Sequence, residues 1–309
     1  MKILVVGGTG MVGGHAALHL QSQGHSVSIA GRRAPEAATS LASLPFIRGD
    51  YMQNDFTRDQ LSAFDAVVFA AGSDIRHVPA GQVADQHYLQ ANGEAVPAFA
   101  RLARESGVRK FVHIGSVYPH ILGDVADQNA YVRSRKLAAD GVVGLATPEF
   151  HACSLDAPIV VGSVPGIVIP MFKAYIDYAE GKLPIPAFAP IGGLNFISTQ
   201  SLSEAILGAI EHSEAVSGRA ILVGDENLTY AEYFEMFFRA VGNPQTLPAL
   251  DQDHPLLPKA TLYAGDRTVV YEPDAEDLRR LGGYRRHDVR TAVGEIVRQY
   301  RNADKADVA

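Results

Sequence analysis

A glycine-rich segment near the start of the chain has the residue types and spacing of a phosphate-binding turn. It reads GGTGMVG at residues 7–13, directly after an apolar run and before a helical pattern. Such glycines allow a tight turn, close approach of a pyrophosphate to the backbone, and close packing of helix on strand. The free N–H groups and the positive dipole end of the helix then attract phosphate. The segment therefore predicts a dinucleotide site rather than a glycine turn without a ligand. The predicted contacts are Gly7, Thr9, Gly10, Met11, Val12 and Gly13.

The residues after the second apolar run indicate which dinucleotide binds. An NAD site usually places an acidic residue about 20 residues beyond the glycine turn, where it holds the ribose 2′-hydroxyl. Here the run SVSIA is followed by Gly31, Arg32 and Arg33, and the first acidic residue is Glu36. An arginine can pair with a 2′-phosphate, which a carboxylate would repel. We therefore predict NADP rather than NAD; the alternative is that both arginines lie in a solvated loop.

Short apolar runs alternate with helical patterns in the first half of the chain. The pattern predicts strands at residues 3–6, 26–30, 46–47, 66–70, 111–114 and 154–161, and a first helix over 12–23. The inner runs are continuously apolar, as in a parallel sheet that helices cover on both faces. This alternation predicts a Rossmann-like α/β domain with a doubly wound parallel sheet.

Two later helices carry start signals. Ser201 and Thr229 each precede a glutamate by three residues, Glu204 and Glu232 respectively. This spacing predicts capping boxes, in which the two side chains satisfy free N–H groups of the first turn. The second of these helices is predicted to end at Gly242.

Composition excludes several classes of protein. The chain has 309 residues, of which 47% are hydrophobic and 20% charged, which is typical of a globular protein of two domains or of one domain with a large appendage. A formal net charge of −7 argues against binding to a nucleic-acid backbone. The single cysteine, Cys153, excludes an internal disulfide framework and a cysteine-rich metal site. His15 and His19 are four residues apart without an evident third ligand, so no metal site is predicted.

Neither a signal peptide nor a membrane span is predicted. The first residues lack the apolar core of a signal peptide, because glycines interrupt it. The uncharged stretches 157–172 and 183–203 contain several prolines, which are costly in a membrane-spanning helix. We expect a cytoplasmic protein that acts on a small molecule and has no nucleic-acid or membrane partner.

The motifs resemble those of the extended branch of the short-chain dehydrogenase/reductase superfamily, which includes epimerases, dehydratases and dihydroflavonol-reductase-like enzymes. The similarity rests on the glycine turn, Gly49-Asp50, FAAG at 69–72, Asn92, and GVRKFVHIGS at 107–116. It is weaker at NFI at 195–197 and over 202–212. The resemblance implies further cofactor contacts from Asp50, Tyr51, Ala70, Ala71, Gly72, Asn92, Tyr131, Arg135 and Pro158.

The resemblance also implies a catalytic serine, a tyrosine, and a lysine four residues after the tyrosine. Ser116 and Tyr131 match the first two positions, but the third is Arg135, with Lys136 next to it. A tyrosine with its usual pKa of about 10 needs a nearby cation to act near neutral pH. Residues four apart share a helix face, so Arg135 is better placed than Lys136 to supply that charge. We expect Tyr131 to be the general acid and Ser116 to hold the substrate carbonyl, with Tyr118 as a minor rival for the acid role.

The substrate class follows from the basic residues. Between Arg135 and Arg219 the only lysines are Lys136, Lys173 and Lys182, which is a poor clamp for the diphosphate of a nucleotide sugar. We therefore predict an NADP(H)-dependent oxidoreductase that interconverts a ketone or aldehyde and an alcohol on a small, largely apolar substrate. The alternatives are an NADP-binding sensor or scaffold without turnover and a nucleotide-sugar epimerase or dehydratase.

The resemblance implies two domains with the chain crossing between them. We expect the cofactor domain to comprise residues 1–155 and about 193–212, and the substrate domain to comprise 156–192 and 213–309. Homodimers are frequent in this superfamily, so a homodimer is a further expectation.

Overall fold

A computed structural model describes residues 1–122 and 128–306, and the side chains up to residue 302. Within these residues, seven parallel strands form the main sheet in the order β3-β2-β1-β4-β5-β6-β10. These strands are β1 (Lys2–Val6), β2 (Ser26–Gly31), β3 (Phe46–Arg48), β4 (Ala66–Phe69), β5 (Lys110–Ser116), β6 (His151–Ala157) and β10 (Arg219–Leu222). This confirms the doubly wound α/β fold. The order reverses between β1 and β4, which is where such sheets bind ligands.

Helices cover both faces of the main sheet, because the central strands are apolar on both sides. Ile3 and Val5 of β1 belong to one buried cluster, and Leu4 and Val6 belong to the other. Helices α1 (Met11–Ser22) and α8 (Thr199–Glu211) pack together on the first face, and α4 (Ala95–Glu105) and α6 (Ala130–Val143) pack together on the second. The other helices of the first half are α2 (Arg58–Leu61), α3 (Ala84–Tyr88) and α5 (Tyr118–Ile121).

The second half of the chain contributes smaller sheets and a separate aromatic core. Strands β7 (Ile159–Val161), β9 (Gly193–Ser198) and β11 (Glu226–Thr229) form one sheet, and β8 (Ala189–Pro190) pairs with β12 (Ala249–Leu250). The helices here are α7 (Pro170–Ala179), α9 (Ser213–Val216), α10 (Tyr230–Ala240), α11 (Ala275–Arg280) and α12 (Val289–Ala306). The core lies among α7, α10 and α12 and includes Phe172, Tyr175, Phe234 and Phe237.

Two elements differ from the sequence prediction. The strand predicted at 154–161 is divided at Pro158, and β6 and β7 lie in different sheets. Proline has no N–H to donate to a strand ladder, so the chain leaves the main sheet there. Strand β10 comes from the stretch that we assigned to the substrate domain, yet it is the edge strand of the main sheet, paired with β6.

One of the two predicted capping boxes is wrong. Helix α8 begins three residues earlier than predicted, because the side chain of Ser198 accepts a hydrogen bond from the Ser201 N–H. Glu204 instead accepts hydrogen bonds from Arg285. The box at Thr229 and Glu232 is present as predicted. Over the part of the chain that is described, no helix is both long enough and apolar enough to span a bilayer.

Candidate active site

A cavity of about 490 Å³ lies at the carboxyl ends of β1, β2 and β4, where the strand order reverses. Most of the residues predicted to bind the cofactor line its wall. They are Gly7, Thr9, Gly10, Met11, Val12, Gly13, Arg32, Asp50, Tyr51, Ala70, Ala71, Gly72 and Arg135. The predicted residues Arg33, Asn92, Ser116, Tyr131 and Pro158 are not part of this wall.

Three of the four glycines in the turn, Gly7, Gly10 and Gly13, have different physical roles. Gly7 has a positive φ of +79°, and a Cβ there would lie 2.9 Å from the backbone of Ala70. A Cβ on Gly13 would lie 2.4 Å from the carbonyl oxygen of Gly7, so both glycines are required by the protein's own packing. A Cβ on Gly10 would meet only the Gly7 oxygen, at 3.4 Å, although Gly10 lines the cavity. Space beside Gly10 is therefore open on the cavity side.

Helix α1 begins at the floor of this cavity without a side-chain cap. Its N-cap residue is Gly10, which has no side chain to accept from the first-turn N–H groups. These groups and the helix dipole are thus available to an anion. The absent side chain and the uncapped helix end fit the pyrophosphate of a dinucleotide.

The far end of the cavity is lined by Asp50, Tyr51 and Arg32. Asp50 caps a short 3₁₀ turn by accepting from the Met52 N–H at 3.0 Å, and Tyr51 packs edge-on against Phe69 with 5.1 Å between ring centroids. Burial raises the pKa of Tyr51 to about 12. The side chain of Tyr51 is therefore a neutral, largely apolar wall beside the charged Arg32.

Asn92 contributes to the cavity indirectly, because it holds a lining residue rather than lining the wall itself. Its amide accepts from the Ser73 N–H and donates to the Ser73 carbonyl, each at 2.9 Å, and also donates to Ser134 Oγ at 3.1 Å. Asn92 lies in a π-helical segment, Leu89–Glu94, which interrupts the regular helix. Such segments are frequent at functional sites.

Arg135 is the predicted catalytic residue that reaches the cavity. Its side chain is buried, and one guanidinium nitrogen donates to the Ile114 carbonyl at 2.8 Å. Another nitrogen lies so close to Gly72 that a Cβ there would be 2.5 Å away. Its Nε has no hydrogen-bond partner among the described residues. By contrast, Lys136 is exposed and forms an ion pair with Asp140, so of these two neighbouring cations Arg135 is the one that lines the cavity.

Ser116 and Tyr131 are outside the cavity wall, and Tyr131 lies in a group of tyrosine rings. The ring of Tyr131 stacks on that of Tyr263, with 4.5 Å between centroids and 10° between planes. Tyr88 and Tyr118 contact Tyr131 edge-on. Ser116 and Tyr131 are each less than a tenth exposed. We call Tyr88, Tyr118, Tyr131 and Tyr263 the tyrosine cluster.

Sequence reasoning identified Ala70 to Gly72 after β4 but missed the continuation of this loop, which supplies Ser73, Asp74, Arg76 and His77 to the wall. Burial raises the pKa of the Asp74 carboxyl, but hydrogen bonds from His77 and Arg76 outweigh it and hold that pKa well below its usual range. Ser73 Oγ lies 2.9 Å from Nε2 of His87, which also lines the cavity. The position of this loop directly after a strand at the reversal of strand order was the one available signal.

His15 and His19 pack between α1 and α8. His15 Nδ1 lies 2.8 Å from Ser203 Oγ, and burial lowers the pKa of His15 to about 4. His19 Nδ1 lies 3.4 Å from the amide nitrogen of Gln200. Within the described residues, no three histidine, cysteine or acidic side chains come together as metal ligands.

Comparison with known proteins gives the family. The model of the NAD dependent epimerase/dehydratase family matches residues 3–224, which include the glycine turn, Ser116, Tyr131 and Arg135. The chain belongs to this family. The resemblance to extended short-chain dehydrogenases/reductases is thereby confirmed. A search of curated proteins found no match.

Solved structures with the same fold cover the whole length of this family member. A UDP-glucose-4-epimerase from Stenotrophomonas maltophila, with bound NAD and formylated UDP-arabinopyranose, has a TM-score of 0.76 and 20% identity, over 99% of each chain. The UDP-glucuronic acid 4-epimerase from Bacillus cereus, in complex with UDP-glucuronic acid and NAD, has a TM-score of 0.73 and 17% identity, over 98% of this chain and 100% of that one. The UDP-N-acetylglucosamine 4-epimerase from Bacillus cereus has a TM-score of 0.72 and 17% identity, over 97% and 96%. At these identities the likeness concerns the fold.

Proposed function

We propose that the chain is an NADP(H)-dependent oxidoreductase that interconverts a carbonyl and an alcohol on a small, largely apolar substrate. The observation that carries the proposal is the surroundings of Tyr131, whose ring is contacted by the rings of Tyr88, Tyr118 and Tyr263. An aromatic environment of this kind suits an apolar substrate better than a diphosphate.

The basic residues from Lys136 to Arg219 support this choice against a nucleotide sugar. Lys136 pairs with Asp140 and Lys173 with Asp177. Lys182 lies within ion-pair distance of Asp177 and Glu180, and Arg219 pairs with Asp277. A nucleotide sugar would bring a second diphosphate in addition to that of the cofactor. To bind it, the protein would need cations that are not already paired with carboxylates. The description of the family and the UDP-sugar complexes of similar structures favour the epimerase or dehydratase alternative.

In the proposed reaction, a bound nicotinamide would supply or accept the hydride. The first turn of α1 and the space beside Gly10 would receive the pyrophosphate. Tyr131 would transfer the proton to or from the substrate oxygen, and Ser116 would donate a hydrogen bond to that oxygen as negative charge develops. Arg135 would stabilise the phenolate form of Tyr131, because its guanidinium keeps its charge at any accessible pH.

The preference for NADP rests on Arg32, which lines the cavity beyond the end of β2 where no acidic residue follows. The similar structures with a named cofactor contain NAD, so this point needs its own test. Arg32→Ala is expected to raise the Kd for NADPH about tenfold while changing the Kd for NADH little, since a 2′-phosphate contact is worth ~1.5 kcal/mol or more. Arg33→Ala is the matched control. Equal effects of Arg32→Ala on both cofactors would contradict the preference.

A second candidate is binding without turnover, because the Tyr263 ring covers Tyr131. The deciding experiment measures NADPH oxidation over a panel of aryl ketones, aldehydes, steroids and UDP-sugars, with wild type and Tyr131→Phe. The proposal expects turnover of an apolar carbonyl that Tyr131→Phe removes. Binding of NADPH with no turnover would favour the sensor, and conversion of UDP-sugars alone would favour the epimerase. Assembly as a homodimer and a cytoplasmic location stay predictions.

A further inference from the structure

A buried carboxylate lies at the end of β6, beside the strand that carries Ser116. Asp156 is 1% exposed and pairs in register with Gly115 of β5. Its Oδ1 accepts a hydrogen bond from Ser154 Oγ at 2.5 Å, and its Oδ2 lies 2.6 Å from His120 Nε2. A buried carboxylate is costly unless it is paired and hydrogen-bonded, and such groups mark candidate functional sites.

The hydrogen bonds around Asp156 have one consistent direction. Ser154 has a single hydroxyl proton, which it donates to Asp156, so it accepts from His113 Nδ1 at 2.9 Å. Burial lowers the pKa of His113 to about 3, with the charge of Arg135 adding to the effect. His113, the inner end of this series of hydrogen bonds, therefore stays neutral. At the outer end, the His120 side chain is about one-third exposed, at 32%.

Glycine at position 115 is required by this arrangement. A Cβ there would lie 1.6 Å from Asp156 Oδ1 and 2.5 Å from Ser154 Oγ. The buried carboxylate of the next strand thus restricts position 115, directly before Ser116, to glycine. This couples the position of Ser116 to that of Asp156 and, through it, to His120.

The proposed reaction needs a route for protons that Arg135 does not provide. A guanidinium does not release its proton in a protein, and the Tyr131 ring is covered by Tyr263. His120 lies on the short helix α5 together with Tyr118, whose ring centroid is 6.2 Å from that of Tyr131. The His120 imidazole is thus a partly exposed group that can carry a proton, two residues along the chain from Tyr118 of the tyrosine cluster.

We propose that His120, oriented by Asp156, exchanges protons between solvent and the Ser116–Tyr131 site. This inference rests on the proposed function. In the direction of carbonyl reduction, the substrate oxygen takes the phenolic proton of Tyr131 as the carbonyl carbon receives hydride. The Tyr131 phenolate then takes a proton from the imidazolium of His120, which is restored by one proton from solvent. His120 and Asp156 therefore act through Tyr131, and Asp156 is a positioning residue.

The first test is chemical rescue. His120→Ala is expected to lower kcat for the carbonyl identified by the panel by at least about tenfold, and added imidazole is expected to restore most of it, since acid–base groups typically contribute about 10² or more. His212→Ala, which removes an exposed imidazole at the end of α8, is the control and is expected to keep wild-type kcat. If wild type turns over the carbonyl but the kcat of His120→Ala is unchanged, or is not restored by imidazole, the relay alone is overturned. Absence of turnover in wild type overturns the relay together with the proposed function.

The second test needs neither cofactor nor activity. Long-range ¹H–¹⁵N spectra of the cofactor-free protein are expected to show the His120 ring with its proton on Nε2, because that atom donates to Asp156. Asp156→Asn, with Ser154→Ala as a milder variant, is expected to abolish or weaken this preference. A wild-type ring with its proton on Nδ1 would overturn the role of Asp156 whatever the activity measurements show.

Discussion

The two halves of the candidate active site are built in different ways. The cofactor half is an open cavity whose wall includes the glycines at 7, 10, 13 and 72. The catalytic half is closed by side chains, with Tyr131 stacked beneath Tyr263. Three of these glycines lie within one stretch of seven residues, whereas the tyrosine cluster joins residues from four separate segments. Much of the cofactor half could therefore be predicted from the sequence, and the cover over the catalytic half could not.

The largest expected effect concerns Gly10, which a ligand needs, in contrast to Gly7 and Gly13, which the fold needs. Gly10→Val is expected to weaken NADPH binding about 1000-fold, roughly 4 kcal/mol, because the new side chain would occupy the space beside the helix terminus. The unfolding midpoint should change little, since a Cβ at Gly10 meets only one atom within 4 Å. Calorimetric titration with NADPH, alongside thermal unfolding, measures both. Gly294→Ala, within α12, is the control, and unaltered binding by Gly10→Val would refute the cavity as the pyrophosphate site.

The next effect concerns the cation that links the two halves. Arg135→Gln is expected to lower kcat about 100-fold, roughly 2.7 kcal/mol, because the phenolate form of Tyr131 loses its neighbouring charge. Arg135→Lys should retain more activity than Arg135→Gln. Lys136→Gln is the control and is expected to leave kcat within a factor of two, since Lys136 pairs with Asp140 at the surface. Steady-state kinetics would contradict the assignment if Lys136→Gln were the more damaging change.

Acid is expected to destabilise the fold that carries both halves of the site. Burial lowers the pKa of His113 to about 3 and that of His15 and His254 to about 4. These imidazoles gain protons in the unfolded chain near pH 6.5 but stay neutral in the folded one, so stability is full above pH 6.5 and falls as the pH decreases toward 4. Urea unfolding at pH 7 and pH 5 should show a loss of about 2 kcal/mol for each of these imidazoles. A free energy of unfolding that is constant or higher at pH 5 would contradict this.

The smallest expected effect tests the cover over Tyr131. Tyr263→Ala should cost about 1 kcal/mol of folding stability, because it removes one stacked and one edge-on ring contact. It should also lower the KM for bulky carbonyls, since Tyr131 becomes accessible. Tyr263→Phe keeps the ring and should leave the KM unchanged. An increase in KM with Tyr263→Ala would indicate that this ring binds the substrate instead of covering the site.

Particular residues show where prediction from the sequence succeeded and where it failed. The glycine turn lies between β1 and α1 and Arg135 lines the cavity, because both positions depend on local geometry, while their roles in binding and catalysis stay predictions. The break at Pro158 was missed because the apolar run continues through it, and the cap at Ser198 because the capping pattern at Ser201 fits equally well. Tyr263 lies 132 positions after Tyr131, and no local pattern relates them.

The central claim is that the tyrosine cluster and Arg135 serve hydride transfer to an apolar carbonyl. Its most direct test incubates the protein with NADPH carrying deuterium at the transferable C4 position and an aryl ketone from the panel, followed by mass spectrometry of the product. The account predicts an alcohol with one deuterium on the carbinol carbon for wild type and none for Tyr131→Phe. The account would be contradicted if no carbonyl of the panel received deuterium while the protein interconverted a UDP-hexose in the presence of NAD.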